Sequence, residues 1–172
     1  MKSLTDQLSS YASYHRDTRN VLTHLVGIPM IVVAIATLMA RLSFGSMTLS
    51  DGCVLDFNLA VLASTLACAY YLLLDLRYGV VMSALFALAC WVGTGLAQHD
   101  QGVWLAWGLG LFVVGWVFQF VGHWFEGRKP AFVDDLIGLI IGPLFVVAEV
   151  GFFLRMRPHV HAEVVSRSGP LR

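Results

Sequence analysis

The sequence has little charge, and its positive and negative residues cancel. Charged residues make up 13% of the 172 residues, whereas about a quarter of the residues in soluble globular domains are charged. Lysine and arginine number 11, as do aspartate and glutamate, so a nucleic-acid partner has no electrostatic support. The low charge and the 58% hydrophobic content predict an integral membrane protein.

Cysteine pairs and a signal-peptide pattern are also lacking. Cys53, Cys68 and Cys90 form no CxxC pair, and the last two lie in apolar stretches, where a thiol behaves as a small hydrophobe. We assign these three residues no chemistry. Residues 2–20 are polar, unlike the basic start and immediate apolar run of a signal peptide. We therefore expect the first apolar stretch to remain in the mature protein.

Four apolar stretches are long enough to cross a bilayer, which takes roughly 20 helical residues. They are residues 21–40, 57–76, 78–97 and 103–125. The short connections predict an all-α antiparallel bundle of four transmembrane helices within a single membrane domain. We divide this domain into an interfacial segment (1–19), the helical bundle (20–154) and a polar tail (155–172).

A fifth apolar segment, residues 136–154, carries Gly142-Pro143 at its centre and Glu149 in its second half. Proline in a helix interior removes a hydrogen bond, so the segment must kink or turn. If it spans, basic residues divide six to five between the two faces. If it dips in and returns, they divide ten to one. The positive-inside rule therefore favours a broken or re-entrant segment with both termini in the cytoplasm.

The N-terminal segment predicts a short amphipathic helix on the membrane surface, because Leu4, Leu8 and Tyr11 recur at helical spacing. Asn20 is the expected N-cap of the first span. His15 and His24 are nine residues apart, which puts them on opposite sides of a continuous helix. They can serve one site only if the chain breaks between them, and the polar sequence HRDTRN permits such a break.

A second polar cluster lies at the end of the fourth span. Gln119, His123 and Glu126 are separated by four and three positions, so one helix face presents an amide, an imidazole and a carboxylate. In the predicted topology this cluster meets His15 and His24 at the same membrane depth. Polar groups at such depth usually face a partner inside the bundle. Structural hydrogen bonding between helices explains them as well as a site does.

Imidazole and carboxylate ligands together suit a first-row transition metal such as Fe(II) or Zn(II). The candidate ligands are His15, His24, His123 and Glu126. Side chains that could orient the ring nitrogens are Asp17, Asn20, Gln119 and the Asp134-Asp135 pair. His99 in a loop, and His159 and His161 in the tail, are expected to have no metal role. The spacing alone does not choose between the metals.

Three patterns carry a resemblance to a known family. They are YHRDTRNVLTHLVGIP, then QFVGHWFEGRKPAFVDDL about a hundred residues later, then GPLFVVAEV. In these patterns, and over residues 11–150 as a whole, the chain resembles the Mpo1-like family. The resemblance implies an Fe(II)-dependent dioxygenase that uses O2 to shorten a long-chain 2-hydroxy fatty acid by one carbon, releasing CO2.

The resemblance also implies roles for individual residues. His15, His24 and His123 would be catalytic iron ligands with Glu126 as a possible fourth, and Arg16, Arg19 or Arg128 would attract the substrate carboxylate. The protein would lie in the lipid bilayer of the inner membrane of a bacterium or of the endoplasmic reticulum of a eukaryote.

Three other functions also fit the residues. In a small transporter or channel subunit, His123 and Glu126 would relay protons along the broken fifth segment. In a haem-binding four-helix bundle, His24 and His123 would be axial ligands. In a structural or partner-binding protein with four spans, the polar groups would serve helix packing only.

Overall fold

The computed structural model describes residues 2–48 and 54–172. Seven α-helices, a two-stranded hairpin and one short 3₁₀ turn account for most of these residues. In chain order they are α1 (Leu4–Ala12), α2 (Thr18–Ala40), β1 (Ser43–Thr48), β2 (Val54–Asn58), α3 (Leu59–Leu74), α4 (Leu76–Ala97), α5 (Gln101–Glu126), the 3₁₀ turn (Ala131–Val133), α6 (Gly138–Phe153) and α7 (Pro158–Ser168).

Three helices, α2, α4 and α5, are long and apolar enough to cross a membrane. The predicted second span is a shorter apolar helix of 16 residues, α3. The predicted fifth segment is α6, which meets α7 at an angle of 114° and counts as a further span only if the bent pair is one crossing. The helical membrane architecture is therefore supported, with three or four candidate spans.

The connection after α2 forms a β-hairpin, which the sequence analysis did not predict. β1 and β2 pair antiparallel, with Ser46 opposite Asp56 and Thr48 opposite Val54. The side chains of β1 are exposed. Cys53 lies outside the described residues, whereas Cys68 and Cys90 are free thiols in the helices.

Helix α2 is the centre of the bundle, and it packs most closely against α5. Gly27 of α2 lies against Gly115 of α5, and Gly122 of α5 lies against Asn20 and Thr23 of α2. These contacts run in opposite directions along the two helices. A Cβ on Gly27 would come within 2.7 Å of the Gly115 carbonyl oxygen, so the missing side chains allow the two backbones to approach.

The N-terminal helix α1 begins with a capping box, in which Ser3 and Asp6 bond each other's backbone N–H groups. The sequence analysis predicted that its apolar face lies on the membrane. In the structure Leu4, Leu8 and Tyr11 are buried and pack with residues of α6 and α7 such as Phe145. The apolar face of α1 is therefore covered by protein.

Residues 155–172, the predicted polar tail, pack against the N-terminal part of the chain. They form α7, whose Val164 is buried and whose Arg167 pairs with Asp6 of α1 at 2.7 Å. The backbone then returns along the start of α2, because the Arg172 N–H donates to Arg16 O at 2.8 Å and the Thr18 N–H donates to Arg172 O at 3.0 Å. The two ends of the described chain therefore lie together.

The flanks of α6 lie at the end of the bundle where α2 begins. Before α6, Tyr14 donates its hydroxyl hydrogen to Asp134 at 2.8 Å. After α6, Arg157 forms a two-bond pair with Asp75, at 3.0 and 2.7 Å. Asp75 joins α3 to α4 and caps α4 through the Tyr78 N–H. Both flanks are thus held beside the N-terminal helix and this junction.

Candidate metal centre

His15 and His24 come together because the chain breaks between them, as the sequence analysis required. α1 ends at Ala12, and α2 begins at Thr18 with Asp17 as its N-cap. The prediction that Asn20 is the N-cap was wrong, since Asn20 lies inside the first turn of α2. The Asp17 carboxylate instead accepts the Arg19 N–H, satisfying one of the free N–H groups at the helix start.

Both rings are held by main-chain oxygens. His15 Nδ1 lies 2.8 Å from Tyr11 O, and His24 Nδ1 lies 2.9 Å from Asn20 O. A carbonyl oxygen can only accept, so each Nδ1 carries the ring proton and each Nε2 keeps a free lone pair. Asn20 thus orients His24 through its backbone.

The two lone pairs face each other, with His15 Nε2 and His24 Nε2 only 3.1 Å apart. Two acceptors at this distance repel unless a cation or a proton lies between them. Two nitrogens bound about 2.1 Å from one ion, at an angle near 90°, would be about 3 Å apart. The observed separation fits two neighbouring ligands of one metal ion.

His123 completes a group of three. Its ring centroid lies 4.9 Å from that of His15 and 5.0 Å from that of His24. Ligand nitrogens of the three residues lie within 4.8 Å of one another, and His123 Nδ1 is buried without a hydrogen-bond partner. A buried nitrogen without a partner is costly, and a bound metal would relieve that cost.

Burial keeps the His15 ring neutral. The side chain is fully buried, its ring stacks on Tyr11 with centroids 4.2 Å apart, and the loss of solvent lowers the pKa of His15 to about 3. A neutral ring at physiological pH already has the lone pair that a metal needs. Protonation is therefore a poor explanation for the facing Nε2 atoms.

Glu126, the possible fourth ligand, lies outside the group of ligand atoms. Its Oε2 accepts the Arg16 and Asp17 N–H groups, both at 2.8 Å, and the Asn20 side-chain amide at 3.0 Å. Its Oε1 lies 3.6 Å from the Arg172 guanidinium. The carboxylate therefore ties the end of α5 to the segment that joins His15 to α2. Sequence spacing put it on the face of His123 but could not show this contact.

The five predicted orienting residues have different surroundings, and Asp135 accepts the Ile137 N–H at 3.1 Å, away from the rings. Asn20 contacts His24 and Glu126, as described. Asp17 caps α2 and pairs with Arg19 at 2.8 Å. Asp134 bonds Tyr14 and Lys129, not a histidine ring. Gln119 lies one helical turn before His123, and its Nε2 is buried without a partner.

The three arginines predicted to bind a carboxylate are engaged elsewhere. Arg16 donates to Pro170 O at 3.2 Å and to Ser168 Oγ at 3.0 Å. Arg19 pairs with Asp17 and lies over the Phe125 ring. Arg128 donates to Ser13 O at 2.7 Å. Their positions give no support to a direct contact with a substrate at the histidines.

An apolar cavity of about 290 Å³ begins at His24 and His123 and runs between α2, α5 and residues 130–143. No charged side chain of the described residues lines it. Sequence analysis missed this cavity, although its walls follow a regular pattern. On each helix the cavity is lined by the histidine and by the residues four, seven and eleven positions away from it, forward along α2 and backward along α5. These residues are His24, Ile28, Ile31 and Ile35 on α2, and His123, Gln119, Trp116 and Phe112 on α5.

Comparisons with known proteins give the family of the chain. The family model described as 2-hydroxy-palmitic acid dioxygenase Mpo1-like matches residues 1–154. The chain is 32% identical over 161 residues to 2-hydroxy-palmitic acid dioxygenase MPO1 of Saccharomyces cerevisiae, covering 92% of this chain and 86% of that protein. No solved structure matches. The chain belongs to the Mpo1-like family, as the three sequence patterns indicated.

Proposed function

We propose that this protein is an Fe(II)-dependent dioxygenase that converts a long-chain 2-hydroxy fatty acid and O2 to the fatty acid one carbon shorter, CO2 and water. The named activity of the yeast relative supports an oxygenase acting on a 2-hydroxy acid. The observation that carries the proposal is the 3.1 Å approach of His15 Nε2 and His24 Nε2, each with a free lone pair. A ligand nitrogen of His123 lies within 4.8 Å of the ligand nitrogens of both.

The overall reaction balances without a second reductant. A 2-hydroxy acid and O2 contain together the atoms of the shortened acid, CO2 and one water molecule, and the four electrons taken by O2 come from the acid itself. Fe(II) would supply the O2 chemistry that imidazole and amide groups lack. The three histidines would hold such an ion without filling its coordination shell, so that the acid and O2 could reach it.

Residues of this chain would hold the metal ion and orient the substrate. His15, His24 and His123 are the proposed ligands, and the Tyr11 and Asn20 carbonyl oxygens fix the first two rings. Gln119 lines the cavity one helical turn from His123, and its unpartnered amide nitrogen is a hydrogen-bond donor for the head of the acid. The apolar walls of the cavity exclude water from the reacting end.

The membrane position suits such a substrate. The centre lies at the end of the bundle where the chain termini meet, and the cavity runs from it along α2 and α5 toward the other end. A fatty acid in the bilayer would bring its head to the centre while its tail stays in apolar surroundings. We further propose that the segment containing α6 does not cross the bilayer and that both termini face the cytoplasm, since its flanks share one end of the bundle. The unbroken helix α6 has no turn at Gly142-Pro143.

The other functions have less support. A haem held between His24 and His123 would need the space of His15, whose ring stands edge-on to both at centroid distances of 4.5 and 4.9 Å. A proton relay through Glu126 would need a carboxylate free to exchange protons, whereas this one accepts three hydrogen bonds.

The test is metal content and turnover in one set of samples. Anaerobically purified wild-type protein should contain near-stoichiometric iron and convert 2-hydroxypalmitate to pentadecanoate. His24→Ala should lose both. The matched control is His99→Ala, because His99 is exposed and outside the group, and it should keep both. An active protein without iron, or full iron content and turnover in His24→Ala, would contradict the proposal.

A further inference from the structure

The cavity beside the histidines has a defined depth. Eleven residues separate His24 from Ile35 and His123 from Phe112, the deepest cavity-lining residues on the two helices. At 1.5 Å per residue, the depth along either helix is about 16 Å. An extended hydrocarbon chain advances about 1.3 Å per carbon, from C–C bonds of about 1.5 Å, so this depth holds about thirteen carbons. The first two carbons of a 2-hydroxy acid would remain at the histidines.

A second cavity, of about 190 Å³, adjoins the first. It is lined by residues of α2, α3, α4 and the start of α6, and four residues line both cavities: Val32, Ile35, Leu139 and Pro143. Ile35 is the deepest of them along α2. Ile35 is therefore part of the wall that the two cavities share, and it is 39% exposed.

A larger apolar groove, of about 530 Å³, lies between α2, α4 and α6. It is lined by residues such as Met82, Val146 and Val147, and no histidine of the described residues reaches it. The groove shares Ile28, Val32 and Pro143 with the cavity at the histidines. Only the cavity has His24 and His123 in its wall, so a tail whose head lies at the histidines enters the cavity first.

We infer that the cavity between α2, α5 and residues 130–143 takes the acyl chain, and that Ile35 and Phe112 limit its length to about that of a sixteen-carbon acid. The inference rests on the proposed function for the identity of the ligand. It adds which residues select the substrate. Transfer of the tail from lipid to an apolar cavity gains little per methylene group, so selectivity arises where the chain meets the end wall.

Binding to metal-free protein in a fixed detergent provides the test. The probes are saturated 2-hydroxy acids of twelve to twenty-two carbons, each competing with a fluorescent sixteen-carbon acid. Affinity should be nearly constant up to sixteen carbons. It should fall about five- to a hundredfold for twenty carbons, as expected when extra methylene groups are forced into a packed space.

Two substitutions should move this cut-off in opposite directions. Ile35→Ala removes the wall and joins the two cavities, so acids of eighteen to twenty carbons should bind about as well as palmitate analogues. Ile31→Phe fills the cavity seven residues, about 10 Å, from His24, so sixteen-carbon acids should lose more affinity than twelve-carbon acids. Val26→Ala is the control, because Val26 is 47% exposed on α2 and lines neither cavity.

Turnover of the iron-loaded variants separates this inference from the proposed function. A cut-off that moves in the binding assay, in protein that never shortens a 2-hydroxy acid, would support the acyl cavity and contradict the dioxygenase. Turnover with the same chain-length profile in wild type, Ile35→Ala and Ile31→Phe would support the dioxygenase and overturn the acyl cavity. Absence of any cut-off in wild-type binding would also overturn it.

Discussion

Replacing Glu126 by glutamine tests whether this carboxylate positions the metal centre or binds the metal. The side chain is fully buried, and its Oε2 accepts hydrogen bonds from Arg16, Asp17 and Asn20. Glutamine keeps the size and removes the charge. One amide oxygen can serve two of these donors, and the amide nitrogen can serve none of them.

The expected loss follows from these bonds. Hydrogen bonds to a charged group contribute roughly 1.5–3 kcal/mol and neutral ones roughly 0.5–1.5 kcal/mol, so each bond loses about 1 kcal/mol. Three bonds give about 3 kcal/mol, partly offset because a buried charge is also removed. At roughly 2–4 °C per kcal/mol for a chain of this size, the Tm of metal-free Glu126→Gln should fall by about 5–10 °C.

Metal affinity should fall as well, although no histidine is changed. Loss of a group that supports a ligand typically costs about 10–100-fold in affinity. Titration with Co(II) measures this affinity and also reports the ligand set through the visible absorption of the bound ion. If Glu126 only positions His15 and His24, the fully loaded variant should have the wild-type Co(II) spectrum.

The control is Glu163→Gln, the same change in a half-exposed pair with Arg167 on α7. Such surface pairs contribute about 0.3–0.5 kcal/mol, so neither Tm nor Co(II) affinity should change measurably. An unchanged Tm in metal-free Glu126→Gln, together with an altered Co(II) spectrum in the loaded protein, would refute the positioning role and make Glu126 a ligand.

Two further predictions concern packing and charge. Gly27→Ala should lower Tm and metal content, since its Cβ would lie 2.3 Å from Gln119 Nε2 and overpacking costs about 1–3 kcal/mol. The control is Gly110→Ala, which should change neither, because a Cβ there has nothing within 4 Å. Equal Tm values for the two variants would contradict this prediction. Arg157 lowers the pKa of the Asp75 carboxyl below its usual 3.8. The ion pair therefore stabilises the folded protein fully above pH 3.8, and this stabilisation is lost as the pH falls through the lowered pKa. The Tm difference between wild type and Asp75→Asn should shrink on acidification, and a constant difference down to pH about 2 would contradict it.

The helices and the histidine group could be predicted from the sequence because long apolar runs and polar residues at their ends are local signals. The prediction that the chain breaks between His15 and His24 was confirmed, as was the meeting of both with His123. α7 could not be predicted in the same way. Its sequence PHVHAEVVSRS is mostly polar, and it is held by contacts with α1, for example between Arg167 and Asp6.

The cavity was missed for a different reason. In a membrane helix apolar side chains cover every face, so Ile28, Ile31 and Ile35 do not differ from their lipid-facing neighbours by hydropathy. The signal that could have found the cavity lies on α5, where Gln119 and His123 break the apolar pattern four residues apart. Residues three and seven positions before Gln119 lie on the same face of α5, and these are Trp116 and Phe112.

The break that brings His15 to His24 also makes the centre depend on residues that touch no metal. A loop between two helices has few contacts of its own to fix its path, and His15 lies in that loop. The backbone of the loop is held from α5 through Glu126 and from the C-terminus through Arg172, and the Arg16 side chain donates to Pro170 O. Distant substitutions that loosen these contacts should therefore weaken metal binding through His15 first, because His24 and His123 are fixed by the packing of α2 against α5.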